Sequence, residues 1–229
     1  MTNDLIRAQI DDVGIIPAIR MATGQEAMYA AETIALGGIP IVELTMTIPG
    51  VLDVIKRLRL EHPGIVVGAG TVLDMPTAKR CVDAGAMFLT SPGLVTEIVE
   101  FGVAASVIPL PGALTPTEVL RALRSGADYV KIFPCAQVGG PGYIRALKRP
   151  FPEALLIASG GVNQQTAGDF ILAGATALGI GEQLIPHRAV HDRKSDWIHE
   201  LARRFNVMVK HAREKRTALE ETAAAEHGD

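Results

Sequence analysis

The feature that most constrains this chain is a regular alternation of short apolar segments with longer alanine-rich amphipathic segments, separated by Gly or Pro. Each of eight apolar segments is short enough for a strand, and a helical segment follows each one. Such alternation is typical of a parallel sheet, and eight repeats favour a closed barrel over an open doubly wound sheet. We predict strands at Gly14–Ile19, Ile39–Thr45, Ile65–Gly70, Phe88–Thr90, Ala105–Pro109, Tyr129–Ile132, Leu155–Ala158 and Ala177–Ile180.

The helices predicted between these strands have consistent end signals. Gly85, Gly126 and Gly174 each follow an alanine- or leucine-rich segment and precede a strand, as helix-terminating glycines do. We predict helices near Gly24–Leu36, Pro49–Leu60, Met75–Ala84, Val95–Phe101, Pro116–Ser125, Gly142–Leu147 and Gln164–Leu172. With 229 residues and no shift in composition, the chain is expected to be one α/β domain, a (β/α)8 TIM barrel with its core at about 14–205.

The last helix is predicted to be long. Trp197, Leu201, Phe205 and Val209 recur every four residues and form one apolar stripe, which would pack on the barrel or on a partner subunit. Residues 213–229 are charged and alanine-rich without a stripe, so we predict a frayed helix end or a tail there.

Charge and cysteine content exclude several classes of protein. A net charge of −3 does not favour binding to nucleic acid or to an anionic membrane surface. Two cysteines in unrelated contexts argue against a disulfide scaffold and fit a reducing compartment. Neither the polar start of the chain, Met1–Asp12, nor any later run is apolar enough for a signal peptide or a membrane span, so a cytoplasmic location is expected.

Lys131 is the most unusual residue in a predicted strand, because Val130, Ile132 and Phe133 flank it. Lysine is rarely buried, so its tip either extends from the strand end into water or takes part in chemistry. Burial favours the neutral form of an amine, and a neutral amine condenses with a ketone to form a Schiff base.

Glu43 is predicted to point into the barrel. In the second strand Val42 and Leu44 share one all-apolar face, which should contact the helices, and Glu43 shares the other face with Thr45. A carboxylate inside a barrel needs a partner, and Lys131, Arg20 or water could provide it. The pair could be a simple buried ion pair, or an acid–base group beside an amine nucleophile.

Glycine-rich turns follow the last two strands. Ser159, Gly160 and Gly161 precede a helix, and Gly181 and Glu182 follow the eighth strand. Exposed N–H groups at such turns attract anions, and this corner is the usual phosphate site of the barrel. The alternative is that tight turns simply require glycine there.

No metal centre and no nucleotide-binding motif is predicted. None of the six histidines lies at a predicted strand end, and none forms a cluster with ligand spacing within the barrel. His187 and His191 are four residues apart, which we attribute to the exposed start of a helix.

Short segments in a specific order resemble the class I 2-keto-3-deoxy-6-phosphogluconate (KDPG) and 4-hydroxy-2-oxoglutarate (KHG) aldolases from about Gly14 to Pro186. The resemblance implies a trimeric barrel enzyme that uses no metal or organic cofactor. The matching segments are GIIPAIR at 14–20, VELT at 42–45, VGAGTV at 67–72, SPG at 91–93, PGALTPTE at 111–118, KIFP at 131–134 and SGGV at 159–162.

The resemblance also implies roles for individual residues. Lys131 falls on the Schiff-base lysine and Glu43 on the general acid–base. The remaining positions would bind the substrate: Thr71 and Pro92 in a pyruvate pocket, Phe133 on its apolar wall, Arg20 on the carboxylate, and Ser159, Gly160, Gly161 and the loop at Gly181 on the far end of the substrate.

Two positions depart from the family pattern. Thr47 stands where some members have an arginine, and Arg20 can then bind the carboxylate. Glu182 stands where the family often has a serine beside the phosphate, and the resulting repulsion would be on the order of 1 kcal/mol.

The expected function is reversible aldol cleavage of a 2-keto-3-deoxy sugar acid, phosphorylated or not, or of 4-hydroxy-2-oxoglutarate, to pyruvate and an aldehyde. An enzyme using the same imine could instead decarboxylate a β-keto acid such as oxaloacetate. A non-catalytic protein that binds sugar acids is a third possibility, although Lys131 and Glu43 argue against it.

Overall fold

A computed structural model describes residues 1–226 and shows one parallel sheet of nine strands. The first strand pairs with both the second and the last, in the order β5-β4-β3-β2-β1-β9-β8-β7-β6, so the sheet curls into a nearly closed barrel. The strands are β1 (Ile15–Ile19), β2 (Ile41–Thr45), β3 (Val66–Gly70), β4 (Phe88–Thr90), β5 (Ile108–Leu110), β6 (Gly112–Ala113), β7 (Tyr129–Ile132), β8 (Leu155–Ser159) and β9 (Ala177–Ile180).

Strands β5 and β6 are two halves of one barrel position, interrupted by Pro111. β5 pairs with β4, β6 pairs with β7, and the Lys131 N–H donates to Pro111 O at 2.8 Å across the break. Because proline has no N–H, it interrupts the ladder at this point. The barrel therefore has eight strand positions, which confirms the predicted TIM-type architecture.

The fifth strand is the one that the sequence analysis placed wrongly. It was predicted at Ala105–Pro109, but it begins at Ile108 and its second half ends at Ala113. Ala105 caps the preceding helix, and Ser106 has a φ of +56°, a left-handed conformation that ends helical geometry.

The described residues form ten α-helices and one short 3-10 helix, Ala136–Val138, around and at the end of the barrel, and several α-helices begin at side-chain caps. Thr23, Asp74 and Thr115 each accept a hydrogen bond from the N–H three residues later. The helices are α1 (Asn3–Val13), α2 (Gly24–Leu36), α3 (Val51–Glu61), α4 (Met75–Asp83), α5 (Thr96–Ala104), α6 (Pro116–Arg124), α7 (Pro141–Lys148), α8 (Ala167–Leu172), α9 (His187–His191) and α10 (Ser195–Glu226).

The buried apolar side chains form two groups, one between the barrel and its helices and one inside the barrel. Val42 and Leu44 belong to the outer group, and Ile41 belongs to the inner one. This confirms the predicted facing of β2 and places Glu43, which shares the parity of Ile41, on the inner wall.

Helix α1 was not predicted, because the first twelve residues have no apolar run. Its Ile6 and Ile10 are buried and pack with the inner barrel group, so the helix closes the N-terminal end of the barrel. The Tyr129 hydroxyl donates to Asp11 Oδ1 at 2.8 Å and fixes the helix to β7.

Helix α10 differs from its prediction at both ends. Leu201, Phe205 and Val209 are buried as expected, but Trp197 is 42% exposed and Ile198 packs in its place. Beyond Arg213, where we predicted a frayed helix end or a tail, the helix continues to Glu226, and Arg213 and Arg216 donate to the backbone carbonyls of Asp12 and Ile171. Residues 227–229 of that predicted tail lie outside the described residues. No helix within residues 1–226 combines the length and hydropathy needed to cross a membrane.

Candidate active site

The carboxyl ends of the strands surround a cavity of about 390 Å³. Parallel barrels bring all these ends to one face, so residues far apart in sequence meet there. Lys131 and Glu43 line it, and so does Ala18 of β1. Nine other predicted site residues also line it: Arg20, Thr71, Pro92, Phe133, Ser159, Gly160, Gly161, Gly181 and Glu182.

Lys131 lies on the inner wall of β7 and is only 9% exposed. Its Nζ is 3.6 Å from Glu43 Oε2 and 5.6 Å from the centre of the Phe133 ring. The backbone of Lys131 is paired on both sides, with Gly112 of β6 and Ile157 of β8. A primary amine is thus fixed on a rigid strand at the floor of the cavity, with one carboxylate as its counter-ion.

Glu43 reaches the lysine because the neighbouring strand leaves room for it. The side chain is 4% exposed and lies over Gly70, where a Cβ atom would be only 2.6 Å from Glu43 Cγ and Cδ. The carboxylate and the amine are therefore adjacent, and catalytic contacts of this kind are usually shorter in a substrate complex than in a free enzyme.

Thr71 and Pro92 form the wall beside this pair. Thr71 follows β3 with a φ of +58°, a left-handed conformation that is costly for a β-branched residue and that tends to occur at functional sites. The backbone of Pro92 packs against Gly112, where a Cβ atom would overlap it. Glycine at position 112 therefore lets the loop after β4 approach the lysine strand.

The turn at Ser159, Gly160 and Gly161 is packed directly against the end of the lysine strand. Gly160 and Gly161 have φ values of +85° and +88°, and a Cβ atom on Gly161 would overlap Ala136. Both glycines are therefore required by backbone conformation and by close packing. The turn still lines the cavity, so its structural role does not exclude binding of an anion there.

The loop after β9 contributes two polar side chains that the sequence analysis missed. Gln183 and His187 line the cavity beside Glu182. His187 was attributed to an exposed helix start; it is the exposed first residue of α9, but it also lines the cavity. Its position five residues after Glu182, in the loop that closes the barrel, is the signal that could have identified it.

The structure separates Arg20, which we predicted to bind the carboxylate, from Thr47, which we also placed among the substrate-binding positions. Arg20 follows β1 and lines the cavity. Thr47 is exposed and does not line it; its hydroxyl lies 2.8 Å from Thr45 Oγ1, which donates to Ile19 O. Thr47 therefore supports the ends of β1 and β2 and leaves the cavity to Arg20.

Neither cysteine is placed for nucleophilic chemistry. Burial raises the pKa of both the Cys81 and the Cys135 thiols to about 11, so each is protonated near neutral pH. The Cys135 thiol donates to Gly160 O at 3.4 Å and so supports the glycine turn from behind.

A single group of possible metal ligands occurs in the described residues, and it lies away from the cavity. It consists of Glu32, Glu61 and His62 on and next to α2 and α3. Glu32 already bonds His62 at 3.0 Å, and Glu61 pairs with Arg57 at 3.0 Å. None of the three lines the cavity that contains Lys131.

Comparison with known proteins identifies a family and several relatives of this chain. The KDPG and KHG aldolase family model matches residues 6–201. A 2-dehydro-3-deoxy-phosphogluconate aldolase of Pseudomonas aeruginosa is 34% identical over 183 residues, which are 80% of this chain and 82% of that enzyme.

Two solved structures have the same fold over nearly the whole chain. A KDPG aldolase of Legionella pneumophila, with pyruvate captured at low pH as a covalent carbinolamine intermediate, aligns with a TM-score of 0.79 at 27% identity, covering 85% of this chain and 95% of its own. A cube-shaped protein cage designed by fusing symmetric oligomeric domains aligns with a TM-score of 0.83 at 25% identity, covering 93% of this chain and 78% of its own.

Proposed function

This chain belongs to the KDPG and KHG aldolase family and is therefore an aldehyde-lyase of the class I type, and we propose that it cleaves a 2-keto-3-deoxy sugar acid or 4-hydroxy-2-oxoglutarate to pyruvate and an aldehyde. The observation that carries the proposal is the amine of Lys131, 3.6 Å from the Glu43 carboxylate, at the floor of the cavity.

In the proposed mechanism Lys131 passes a proton to Glu43, and the neutral Nζ then attacks the C2 keto carbon of the substrate. A proton moves from the nitrogen to the new alkoxide oxygen, which gives a neutral carbinolamine. Glu43 protonates the departing hydroxyl, water leaves, and the C=N bond of the imine forms. Glu43, now a carboxylate, takes the proton of the C4 hydroxyl as the C3–C4 bond breaks. The electron pair of that bond moves into the iminium to give an enamine, which is protonated at C3 and hydrolysed to pyruvate and free Lys131.

The other lining residues would orient the substrate. Arg20 and Thr71 are proposed to bind its carboxylate, and Pro92 and Phe133 to enclose the pyruvate portion. The turn at Ser159–Gly161 and the loop at Gly181–Gln183 are proposed to bind the distal end, meaning the end of the substrate away from the keto acid. Phe133 supports this role because its ring lies against the lysine side chain.

Glu182 bears on the nature of the distal group. Glu182 lines the cavity next to the glycine turns, and a carboxylate there would repel a phosphate. We therefore propose that an unphosphorylated keto-deoxy acid is the better substrate. The measurement is kcat/KM for the phosphorylated and the unphosphorylated acids, and a large preference for the phosphate ester would contradict this part of the proposal.

The imine is tested by borohydride reduction in the presence of pyruvate. We expect one covalent adduct on Lys131, and we expect Lys131→Met to lose both the adduct and the activity. Lys56→Met, at an exposed position on α3, is the control and should retain both. Absence of the adduct from the wild-type protein would overturn the mechanism.

Assays of the same wild-type and variant proteins separate an aldolase from a decarboxylase and from a non-catalytic binding protein. Turnover of oxaloacetate in place of any hydroxy-oxo acid would favour a decarboxylase, and trapping without turnover of either class would favour a binding protein. We propose that no metal or organic cofactor takes part, so activity should persist after dialysis against a chelator.

We further propose that the protein is a cytoplasmic homotrimer. The exposed Trp197 on α10, next to buried neighbours, supports an additional contact with another subunit. Light scattering coupled to gel filtration should give a mass of three 24.3 kDa chains, and the mass of one chain would contradict the proposal.

A further inference from the structure

Thr90 is a buried polar residue that the proposed mechanism does not use. It ends β4, is 2% exposed, and its Oγ1 has no hydrogen-bond partner among the described residues. An unpaired buried hydroxyl is destabilising, so such a group in a folded protein calls for a reason. The other two unpaired buried polar atoms in the described residues belong to Tyr29 on α2 and His199 on α10, outside the barrel.

The register of the sheet places Thr90 on the inner wall of the barrel. Thr90 has the same parity as Phe88, which belongs to the inner apolar group. Phe88 pairs with Gly68, so Thr90, two residues further on, lies beside Gly70. Gly70 is the residue over which the Glu43 side chain lies. The unpaired hydroxyl on β4 and the catalytic carboxylate on β2 are thus neighbours across β3, because Gly70 places no side chain between them.

On its other side, β4 is followed around the barrel by β5, β6 and then the lysine strand β7. Thr90 pairs with Leu110 at the end of β5, and the chain then continues through Pro111 to Gly112, the partner of Lys131. Pro92, two residues after Thr90, lines the cavity. Thr90 therefore occupies the wall between Glu43 and Lys131, directly below the proposed pyruvate pocket.

Glu43 itself lacks a hydrogen-bond donor. Among the described residues its carboxylate has one polar partner, Lys131 Nζ, at 3.6 Å, which is beyond hydrogen-bond distance. A buried carboxylate requires donors, and a buried hydroxyl requires an acceptor. The Thr90 hydroxyl can donate a hydrogen bond and the Glu43 carboxylate can accept one, so the two groups are complementary.

We propose that Thr90 is a positioning residue whose hydroxyl donates a hydrogen bond to the Glu43 carboxylate during the proton-transfer steps. The inference rests on the proposed aldolase function. Once Lys131 is committed to the imine, the carboxylate needs another donor that holds it toward the reacting oxygen. The Thr90 hydroxyl supplies that donor while Glu43 is ionised, between protonating the departing hydroxyl and receiving the C4 proton.

Two substitutions separate this role from simple packing. Thr90→Val keeps the shape and removes the hydroxyl, whereas Thr90→Ser keeps the hydroxyl and removes a methyl group. We expect Thr90→Val to lower kcat roughly tenfold or more with little change in KM, because a hydrogen bond to a charged group is lost. The acidic limb of its kcat–pH profile should move to higher pH, because the carboxylate has lost a donor.

The two substitutions should affect the stability of the fold in the opposite order to their effect on kcat. Thr90→Val should be as resistant to urea as the wild-type protein or more so, because an unpaired buried hydroxyl is gone. Thr90→Ser should be less resistant, because its missing methyl leaves a small cavity, yet its kcat should stay within roughly threefold of wild type. Activity and stability would then be affected by different variants.

The proposal is overturned if Thr90→Val keeps the kcat and pH profile of the wild type, or if kcat simply follows stability in both variants. Borohydride trapping with pyruvate separates this failure from a failure of the proposed function. A normal Lys131 adduct in Thr90→Val together with reduced turnover supports positioning of Glu43. Absence of the adduct from the wild-type protein removes the imine mechanism and the role of Thr90 with it.

Discussion

At the scale of single residues, the position of Glu43 depends on the absence of a side chain at Gly70. A Cβ atom there would be 2.6 Å from Glu43 Cγ and Cδ, so Gly70→Ala must displace the carboxylate from Lys131. Loss of a positioned acid–base group typically lowers the rate by about 10²–10⁴-fold, and we expect kcat of Gly70→Ala to fall into this range.

The control for Gly70→Ala is Gly142→Ala, on an exposed part of α7 where a Cβ atom would contact nothing within 4 Å. Steady-state kinetics should show wild-type kcat for the control. A Gly70→Ala enzyme with full activity would mean that the carboxylate does not need to lie where the structure places it.

Glu182 gives a second prediction at this scale, about substrate choice. Removal of its charge in Glu182→Gln should raise kcat/KM for a phosphorylated substrate relative to its unphosphorylated form by roughly tenfold, equivalent to about 1.4 kcal/mol. Glu153→Gln, before β8 and therefore at the opposite end of the barrel, removes the same charge and should leave the ratio unchanged. An unchanged ratio in Glu182→Gln would show that the carboxylate does not face the distal group.

At the scale of elements, α1 acts as a plug for the N-terminal end of the barrel. Ile10 is completely buried in the inner apolar group, whereas Leu5 on the same helix is 58% exposed. We expect Ile10→Ala to lower the free energy of unfolding by about 2–5 kcal/mol, and Leu5→Ala to change it by about 0.5 kcal/mol or less.

Urea unfolding gives the free energy of unfolding of both α1 variants. The kcat of each folded variant should stay at the wild-type value, because the cavity lies at the other end of the barrel. Equal stability of the two variants would show that α1 does not close the barrel.

At the scale of the whole molecule, α10 joins the two ends of the chain. Arg213 donates to Asp12 O at 2.6 Å and to Thr176 O at 3.0 Å, and a Cβ atom on Gly14 would overlap its guanidinium. Burial lowers the pKa of Arg213, but the group remains fully charged near neutral pH. The residue therefore fixes the last helix to the end of α1 and to the segment before β9.

Arg213→Ala should lower the free energy of unfolding by about 1–3 kcal/mol, because the backbone carbonyls of Asp12 and Thr176 lose a charged donor. Arg203→Ala on the same helix removes only an exposed pair with Glu200 and should change it by about 1 kcal/mol or less. Denaturant titration compares the two, and a loss in Arg213→Ala no larger than in Arg203→Ala would contradict the anchoring role.

Much of the architecture could be predicted because its signals are local. Helix α2 was predicted with the bounds that the structure shows, and the glycines that end α4, α6 and α8 adopt the expected positive φ. The facing of Glu43 followed from the two-residue period of a strand, which does not depend on the rest of the fold. The apolar neighbours of Lys131 made it unusual for a strand, but whether its tip reaches water was left open, and the structure shows that it is buried.

The sequence by itself thus determined the alternation of strands and helices from β1 onward, the barrel, and the inward direction of Glu43. Only the tertiary structure decided which loops reach the cavity: His187 and Gln183 line it, and Thr47 does not. It also decided that α1 closes the barrel and that α10 stays docked beyond Arg213. The physical reason is that periodicity is a property of neighbouring residues, whereas these contacts join residues far apart in sequence and exist only once the barrel has closed.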